Sequence, residues 1–102
     1  MIARIWHGTT SVERADDYLR FVRGRAIPEY SKVPGNIGAY VLRRIEGDQA
    51  HFLTVSFWDS MNSVREFAGD PPEKAKYYAE DDDFLLELEA YVTHYEAFDT
   101  EG

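Results

Sequence analysis

The stretch HFLTVSFW, residues 51–58, has the alternating pattern of a β-strand, yet it carries large apolar side chains on both faces. One face would carry His51, Leu53, Val55 and Phe57, and the other Phe52, Thr54, Ser56 and Trp58. An exposed antiparallel sheet usually turns one polar face to water. This strand therefore predicts a sheet that is covered on both sides.

The segments around this stretch predict a β-α-β-β-α-β order. Strands are expected at 2–8, 37–45, 50–58 and 88–98, with a hairpin joining the second and third. The first helix would begin at a capping box formed by Thr10 and Glu13, and it would bend or end at Pro28.

The second helix would begin at Asp59 or Ser60 and end at Gly69. After it we expect a short helical turn at EKAKYY, residues 73–78, and a solvated acidic loop at EDDD, residues 80–83.

This order predicts the α+β class with a ferredoxin-like βαββαβ fold. Right-handed crossovers would place both helices on one face of a four-stranded antiparallel sheet. The strands would lie side by side in the order fourth, first, third, second. Residues 1–102 are too few for a second core, so we expect a single domain.

Alternation divides the side chains of the sheet into two sets. The first, mostly aliphatic, is expected to face the helices: Ala3, Ile5, His7, Leu53, Val55, Phe57, Leu88, Ala90, Val92 and His94. The second mixes rings with polar groups: Ile2, Arg4, Trp6, Phe52, Thr54, Ser56, Trp58, Glu89, Tyr91, Thr93 and Tyr95. In the second strand, either Ile37, Ala39 and Val41 or Tyr40 and Leu42 could face inward.

The second set would expose a larger apolar patch than a monomer usually leaves in water. A second copy of the chain, packed sheet against sheet, is the simplest cover, because rings mixed with polar groups suit an interface. We therefore predict a homodimer whose interface contains Trp6, Phe52, Trp58, Tyr91 and Tyr95.

Composition excludes several classes of function. A net charge of −8 argues against binding to nucleic acid or to an anionic membrane surface. Cysteine is absent, so thiolate chemistry and cysteine-based metal sites are excluded. The histidines lack metal-site spacing, and EDDD lacks the alternating ligands of a calcium loop, so no metal is predicted. With no signal-peptide pattern, the cytoplasm is the expected location.

Three stretches, FLTVSFWDSMNSVREFAG (52–69), KAKYY (74–78) and LEAYVTHYEAF (88–98), resemble the antibiotic biosynthesis monooxygenase superfamily. The resemblance implies a dimeric α/β barrel. It also implies kinship with oxygenases that need no cofactor, in which a deprotonated phenol or anthrone itself reacts with O₂. Because one fold hosts many chemistries, the resemblance fixes the fold better than the reaction.

Another branch of this superfamily degrades haem with an Asn, a Trp and a His. The matching positions look like His7, Phe67 and Tyr77 or Tyr78, and all of them differ from that branch. The resemblance therefore leaves haem binding or degradation as a minor alternative.

The candidate site is a pocket between sheet and helices. His7 would be the catalytic base, and Tyr77 or Tyr78 would donate a hydrogen bond to the developing oxyanion. Phe57, Phe67, Ile5 and Val55 are expected to contact the substrate. The predicted function is cofactor-independent oxidation of a small quinol- or anthrone-like aromatic.

Alternative interpretations remain for this site. His7 would equally suit a half-buried position with a bond to a neighbouring carbonyl, and the rings would equally suit a packed core. The chain could then bind a planar hydrophobic ligand without chemistry, or it could be a structural dimer whose own side chains fill the pocket.

Overall fold

The computed structural model describes residues 1–100, which form a four-stranded antiparallel sheet with helices on one face. The strands are β1 (Ile2–Ser11), β2 (Asn36–Glu46), β3 (Gln49–Trp58) and β4 (Thr93–Glu96). Their order in the sheet is β2-β3-β1-β4. This architecture confirms the predicted ferredoxin-like fold and the predicted order of the strands.

The first helical region is longer and less regular than predicted. It runs without a break through a 3₁₀ turn, α1 (Ala15–Phe21), a π-helical stretch (Val22–Ala26) and α2 (Ile27–Ser31). Pro28 does not end it, because proline is tolerated in the first turn of α2, where its missing N–H costs little. The predicted capping box is wrong, since Thr10 lies within β1.

The second predicted helix is confirmed as α3 (Met61–Ala68). The Ser60 hydroxyl accepts a hydrogen bond from the backbone N–H of Ser63 at 3.3 Å, as expected of an N-cap. Gly69 ends the helix with a φ of 83°, a conformation that side chains other than glycine rarely adopt.

The segment between α3 and β4 differs most from the prediction. EKAKYY forms no helix, and a short helix, α4 (Asp81–Phe84), occupies the acidic run that was expected to be a solvated loop. Asp81 is buried, because the Tyr18 hydroxyl and the backbone N–H of Tyr78 both donate to its carboxylate. The prediction of solvation therefore fails at Asp81, whereas Asp82 and Asp83 are exposed as expected.

The prediction of which face of β1 and β3 meets the helices is wrong. Trp6, Phe52 and Trp58 are buried against the helices, so they cannot form the predicted dimer interface. Ile5, His7, Leu53, Val55 and Phe57 lie on the opposite face of the sheet, away from the helices, and each is partly exposed. We call this opposite side the open face.

The polar groups of the inner face explain the reversal. Trp58 Nε1 donates to the Ser56 hydroxyl at 2.9 Å, and the hydroxyls of Thr54 and Tyr30 are 3.2 Å apart. A buried polar group costs little once it is hydrogen-bonded, and the large rings fill the layer between sheet and helices.

The two remaining strands follow the same division. Ala39 and Val41 of β2 pack toward the helices, whereas Tyr40 and Leu42 lie on the open face. In β4, Tyr95 pairs with Ala3 and shares its open face. No helix within residues 1–100 has the length and apolar character needed to cross a lipid bilayer.

Candidate functional site

A small cavity of about 30 Å³ lies between the inner face of the sheet and the helices. Its walls are formed by Arg4, Trp6, Tyr18, Val22, Ala26, Tyr30, Thr54, Phe67, Lys76, Tyr77, Tyr78 and Asp81. We call it the inner cavity. At roughly 10–15 Å³ for each water, it has space for about two water-sized groups.

Asp81 is the carboxylate of the inner cavity. Tyr18 donates to its Oδ1 at 2.9 Å, and the backbone N–H of Tyr78 donates to its Oδ2 at 2.7 Å. Burial raises the pKa of Asp81 from its ordinary value, while these two hydrogen bonds oppose the rise. A carboxylate of raised pKa among aromatic rings is well suited to accept a proton.

Tyr77 connects the inner cavity with the edge of β1. Its hydroxyl accepts a hydrogen bond from Trp6 Nε1 at 3.1 Å and donates to the carbonyl oxygen of Glu89 at 2.6 Å. Burial raises its pKa. Both contacts hold the Tyr77 ring across the opening of the cavity.

Tyr78 differs from Tyr77 because its buried hydroxyl has no hydrogen-bond partner within residues 1–100. Burial, with the field of Glu29, raises the pKa of Tyr78 to about 12, so the phenol keeps its proton at neutral pH. An unsatisfied buried hydroxyl usually costs about 1–3 kcal/mol. Such a group next to a cavity is a candidate contact for a ligand.

Arg4 brings a buried positive charge to the same cavity. Its guanidinium donates to the carbonyl oxygens of Pro72 at 2.6 Å and Lys74 at 3.2 Å, and to Nε2 of His94 at 3.2 Å. These three partners are uncharged acceptors. Burial lowers the pKa of Arg4, and Glu73 acts on it only through its field.

A second cation, Lys76, approaches the cavity from the segment after α3. Its ammonium lies 4.5 Å from the centre of the Phe67 ring, and Arg4 lies 5.7 Å from the same centre. Lys76 also donates to the carbonyl oxygen of Phe67 at 3.3 Å. Phe67, which the sequence placed at the site, therefore carries two cations close to its ring.

His7 lies on the open face and does not line the inner cavity. Its Nδ1 is bonded to a Glu89 carboxylate oxygen at 2.5 Å, and its Nε2 lies 3.1 Å from Nδ1 of His51. Glu89 connects His7 to Tyr77, because the Glu89 carboxylate binds His7 and its backbone carbonyl accepts from the Tyr77 hydroxyl. Tyr77 and Tyr78 line the inner cavity, whereas His7 does not. Of the predicted substrate contacts, Phe67 lines the cavity, whereas Ile5, Val55 and Phe57 lie on the open face.

The open face has a shallow groove of about 320 Å³, lined by His7, Leu42, Arg43, Arg44, His51 and Leu53. Several of its charged groups already have partners. Arg43 binds Asp16, Arg44 binds Glu46, and His51 lies 3.7 Å from Glu46. The inner cavity is much smaller, but it holds the unsatisfied hydroxyl, the buried guanidinium and the carboxyl of raised pKa, features that mark functional sites.

Asp81 and Arg4 are the cavity residues that sequence reasoning missed. Asp81 stands in a run of four acids, where solvation is the ordinary interpretation. A signal for Arg4 did exist, because a charged residue stands on the face of β1 that also carries Trp6. If that face had been predicted to be buried, Arg4 would have been recognised as an unusual buried cation.

A comparison with protein-family models matches residues 1–75 to the antibiotic biosynthesis monooxygenase model. The chain belongs to this family. The matched range contains Arg4 and Phe67, whereas Lys76, Tyr77, Tyr78 and Asp81 lie beyond it.

Solved structures resemble this family member along almost its whole length. A Nitrosomonas europaea protein assigned as an antibiotic biosynthesis monooxygenase superposes with a TM-score of 0.69 at 13% identity, covering 95% of this chain and 98% of its own. A Bacillus cereus protein with the same assignment superposes with a TM-score of 0.66 at 13% identity, covering 97% of this chain and 96% of its own. The Mycobacterium tuberculosis haem degrader MhuD, with two haems in its active site, gives 0.60 at 19%, covering 95% of each chain.

These likenesses lie below 25% identity, so they support the fold and not a particular reaction. A comparison with the curated proteins gives no match.

Proposed function

We propose that this family member is a cofactor-independent monooxygenase that oxidises a small quinol- or anthrone-like aromatic with O₂ at the inner cavity. The observation that carries the proposal is Asp81, a buried carboxyl of raised pKa that lines the same cavity as Tyr78. The base is therefore assigned to Asp81 instead of His7.

The proposed reaction needs no electron source other than the substrate. Asp81 takes a proton from a hydroquinone, and the resulting electron-rich anion adds to O₂ to give a peroxide. The peroxide then loses water, so that hydroquinone plus O₂ gives hydroxyquinone plus water. During the first step the Tyr78 hydroxyl would donate to the developing oxyanion, as a preorganised donor in a water-poor site.

Entry of an aromatic ring requires movement of the segment that covers the cavity. Ligand pockets commonly enclose about 300–1,000 Å³, far more than the roughly 30 Å³ enclosed here. The ring of Tyr77 is half-buried and belongs to a segment without helix or strand, so it is the group that would turn outward.

The cavity does not suit haem. The residues that line it include no histidine that could bind the haem iron. Haem chemistry is accordingly not part of the proposal, although the MhuD structure has a similar fold.

The test is turnover of 1,4-naphthohydroquinone under isotopically labelled O₂, with product analysed by mass spectrometry. We expect one labelled oxygen atom in a hydroxynaphthoquinone product. Spontaneous autoxidation, in contrast, gives an unlabelled quinone and hydrogen peroxide. Asp81→Asn should lose most of the labelled product, while Asp16→Asn, an exposed acid of the first helical region, should retain it.

A panel of hydroquinones and anthrones that gives no labelled product would overturn the proposal. Saturable binding of the same compounds without oxygen uptake would instead identify the chain as a binding protein for planar aromatic ligands.

We also propose that two copies of the chain pair through the open face. Tyr40, Leu42 and Tyr95 are 63%, 47% and 56% exposed there, next to half-buried Val55 and Phe57. At about 25 cal/mol per Å² of apolar surface, covering such a face offsets the cost of association. Of the interface residues predicted from sequence, Tyr91 and Tyr95 are exposed and remain available for this contact.

A further inference from the structure

We propose that Arg4, Lys76 and Tyr78 form a subsite for the anionic group of an acidic aromatic substrate, such as a hydroxybenzoate. This inference rests on the proposed function for the place where substrate binds, and it adds the chemical class of that substrate.

The charge of Arg4 supports the subsite. Arg4 is 2% exposed, and its hydrogen-bond partners within residues 1–100 are the two carbonyl oxygens and the neutral ring of His94. A buried cation normally has an anionic partner, because taking a charge out of water costs several kcal/mol. Arg4 lines the inner cavity. An anion bound in this cavity would therefore supply the hydrogen-bonded negative charge that Arg4 otherwise lacks.

Lys76 strengthens the same conclusion. Two cations share the Phe67 ring, and the one carboxylate in the cavity wall, Asp81, already accepts two hydrogen bonds. One carboxylate therefore faces two cations, and one positive charge in the cavity wall has no carboxylate partner there. The wall of the cavity is thus cationic in a chain whose net charge is −8.

The unsatisfied hydroxyl of Tyr78 supplies a neutral donor for the same ligand. The roughly 30 Å³ of the cavity matches the two oxygens of a carboxylate better than it matches an aromatic ring. The acid group would therefore enter first, and the ring would displace the side chain of Tyr77.

Calorimetric titration with 2,5-dihydroxybenzoate and with its neutral amide, 2,5-dihydroxybenzamide, tests the subsite. We expect the carboxylate to bind at least tenfold more tightly than the amide. Lys76→Met should remove most of that preference without unfolding the chain, because Lys76 is exposed. Lys32→Met, an exposed lysine paired with Glu29, is the matched control and should keep the preference.

Tyr78→Phe separates a ligand contact from a packing role. Removing an unsatisfied buried hydroxyl should raise the midpoint of thermal unfolding, and it should at the same time weaken the binding of 2,5-dihydroxybenzoate several-fold. If Tyr78 served only in packing, Tyr78→Phe would leave the affinity for 2,5-dihydroxybenzoate unchanged.

Equal affinity for acid and amide, or an unchanged preference in Lys76→Met, would overturn the subsite. Turnover of neutral naphthohydroquinone with no preference for acids would leave the monooxygenase proposal standing and remove this inference. Preferential binding of acids with no oxygen uptake would support the subsite and remove the monooxygenase proposal.

Discussion

At the scale of single residues, the account depends on how burial changes the protonation of groups around the inner cavity. Asp81, Tyr77 and Tyr78 all have raised pKa values, with burial as the largest cause in each case. The carboxyl becomes a better proton acceptor, whereas the phenols stay protonated and can donate. The cavity therefore combines an acceptor with donors at neutral pH.

Tyr18→Phe should move the acid limb of the pH–rate profile to higher pH. The Tyr18 hydroxyl donates to Asp81 at 2.9 Å and favours the ionised carboxylate, so its loss raises the pKa of Asp81 further. The change preserves the shape of a ring that is 2% exposed. The measurement is kcat/KM for naphthohydroquinone against pH, and an unshifted limb would exclude Asp81 as the base.

His94 should make folding stability sensitive to acid. Burial, with the charge of Arg4 next to it, lowers the pKa of His94, although the field of Glu73 acts in the opposite direction. The folded protein thus binds fewer protons than the unfolded chain, and the stability present above the ordinary histidine pKa is lost as pH falls through the folded value.

Denaturant unfolding from about pH 7 to about pH 5 checks this sign. We expect wild type to lose free energy of unfolding relative to His94→Gln, because glutamine accepts from Arg4 without titrating. If the free energy of unfolding changes with pH in the same way in both proteins, the pKa of His94 is not lowered by folding.

At the scale of secondary-structure elements, β1 and the first helical region show how local chemistry shapes the cavity. A Cβ added at Gly8 would lie 2.4 Å from the Trp6 ring, so glycine leaves the space that this indole occupies. In the π-helical stretch, a Cβ added at Gly24 would meet nothing within 4 Å. The two glycines therefore have opposite consequences when replaced.

Gly8→Ala should destabilise the fold by roughly 1–3 kcal/mol, because the buried Trp6 ring has to shift. Gly24→Ala should stabilise it by about 0.5–1 kcal/mol, since alanine is better than glycine within a helix. Chemical denaturation of both variants gives these values. A neutral Gly8→Ala would indicate that Trp6 does not lie over Gly8.

At the scale of the whole molecule, the sheet has two apolar sides with different covers. The helices cover the rings of the inner face, and a second copy is the proposed cover of the open face. Leu42→Glu should shift the protein from dimer to monomer in sedimentation, because it buries a charge at the proposed interface. Val12→Glu, a similarly exposed position at the start of the first helical region, should stay dimeric.

A wild-type protein that sediments as a monomer at micromolar concentration would contradict this pairing. The inner cavity and its chemistry would then have to be complete within one chain.

The sequence was sufficient to predict the element order and the strand order, because alternation and the turn at residues 46–49 define the hairpin. It was not sufficient to predict the inner face. Thr54 and Ser56 are polar and would be expected at the surface. They are buried because their hydroxyls form hydrogen bonds with Tyr30 and Trp58, and these bonds form only in the folded protein.

The same reason explains the site. Phe57, Phe67, Tyr77 and Tyr78 were predicted to lie together. The last three line one cavity, whereas Phe57 lies on the open face. His7 was predicted to lie with them, and it followed the reversed face instead. The role of Asp81 could not be predicted from the sequence, because it depends on hydrogen bonds from the Tyr18 hydroxyl and from the backbone N–H of Tyr78.

The most direct test of the central claim is a crystal structure of the protein soaked without oxygen in 1,4-naphthohydroquinone. The account predicts density for the ring system between sheet and helices, within hydrogen-bond distance of Asp81 and Tyr78, with the Tyr77 ring turned outward. Density on the open face against His7 and His51, with the inner cavity unchanged, would contradict it.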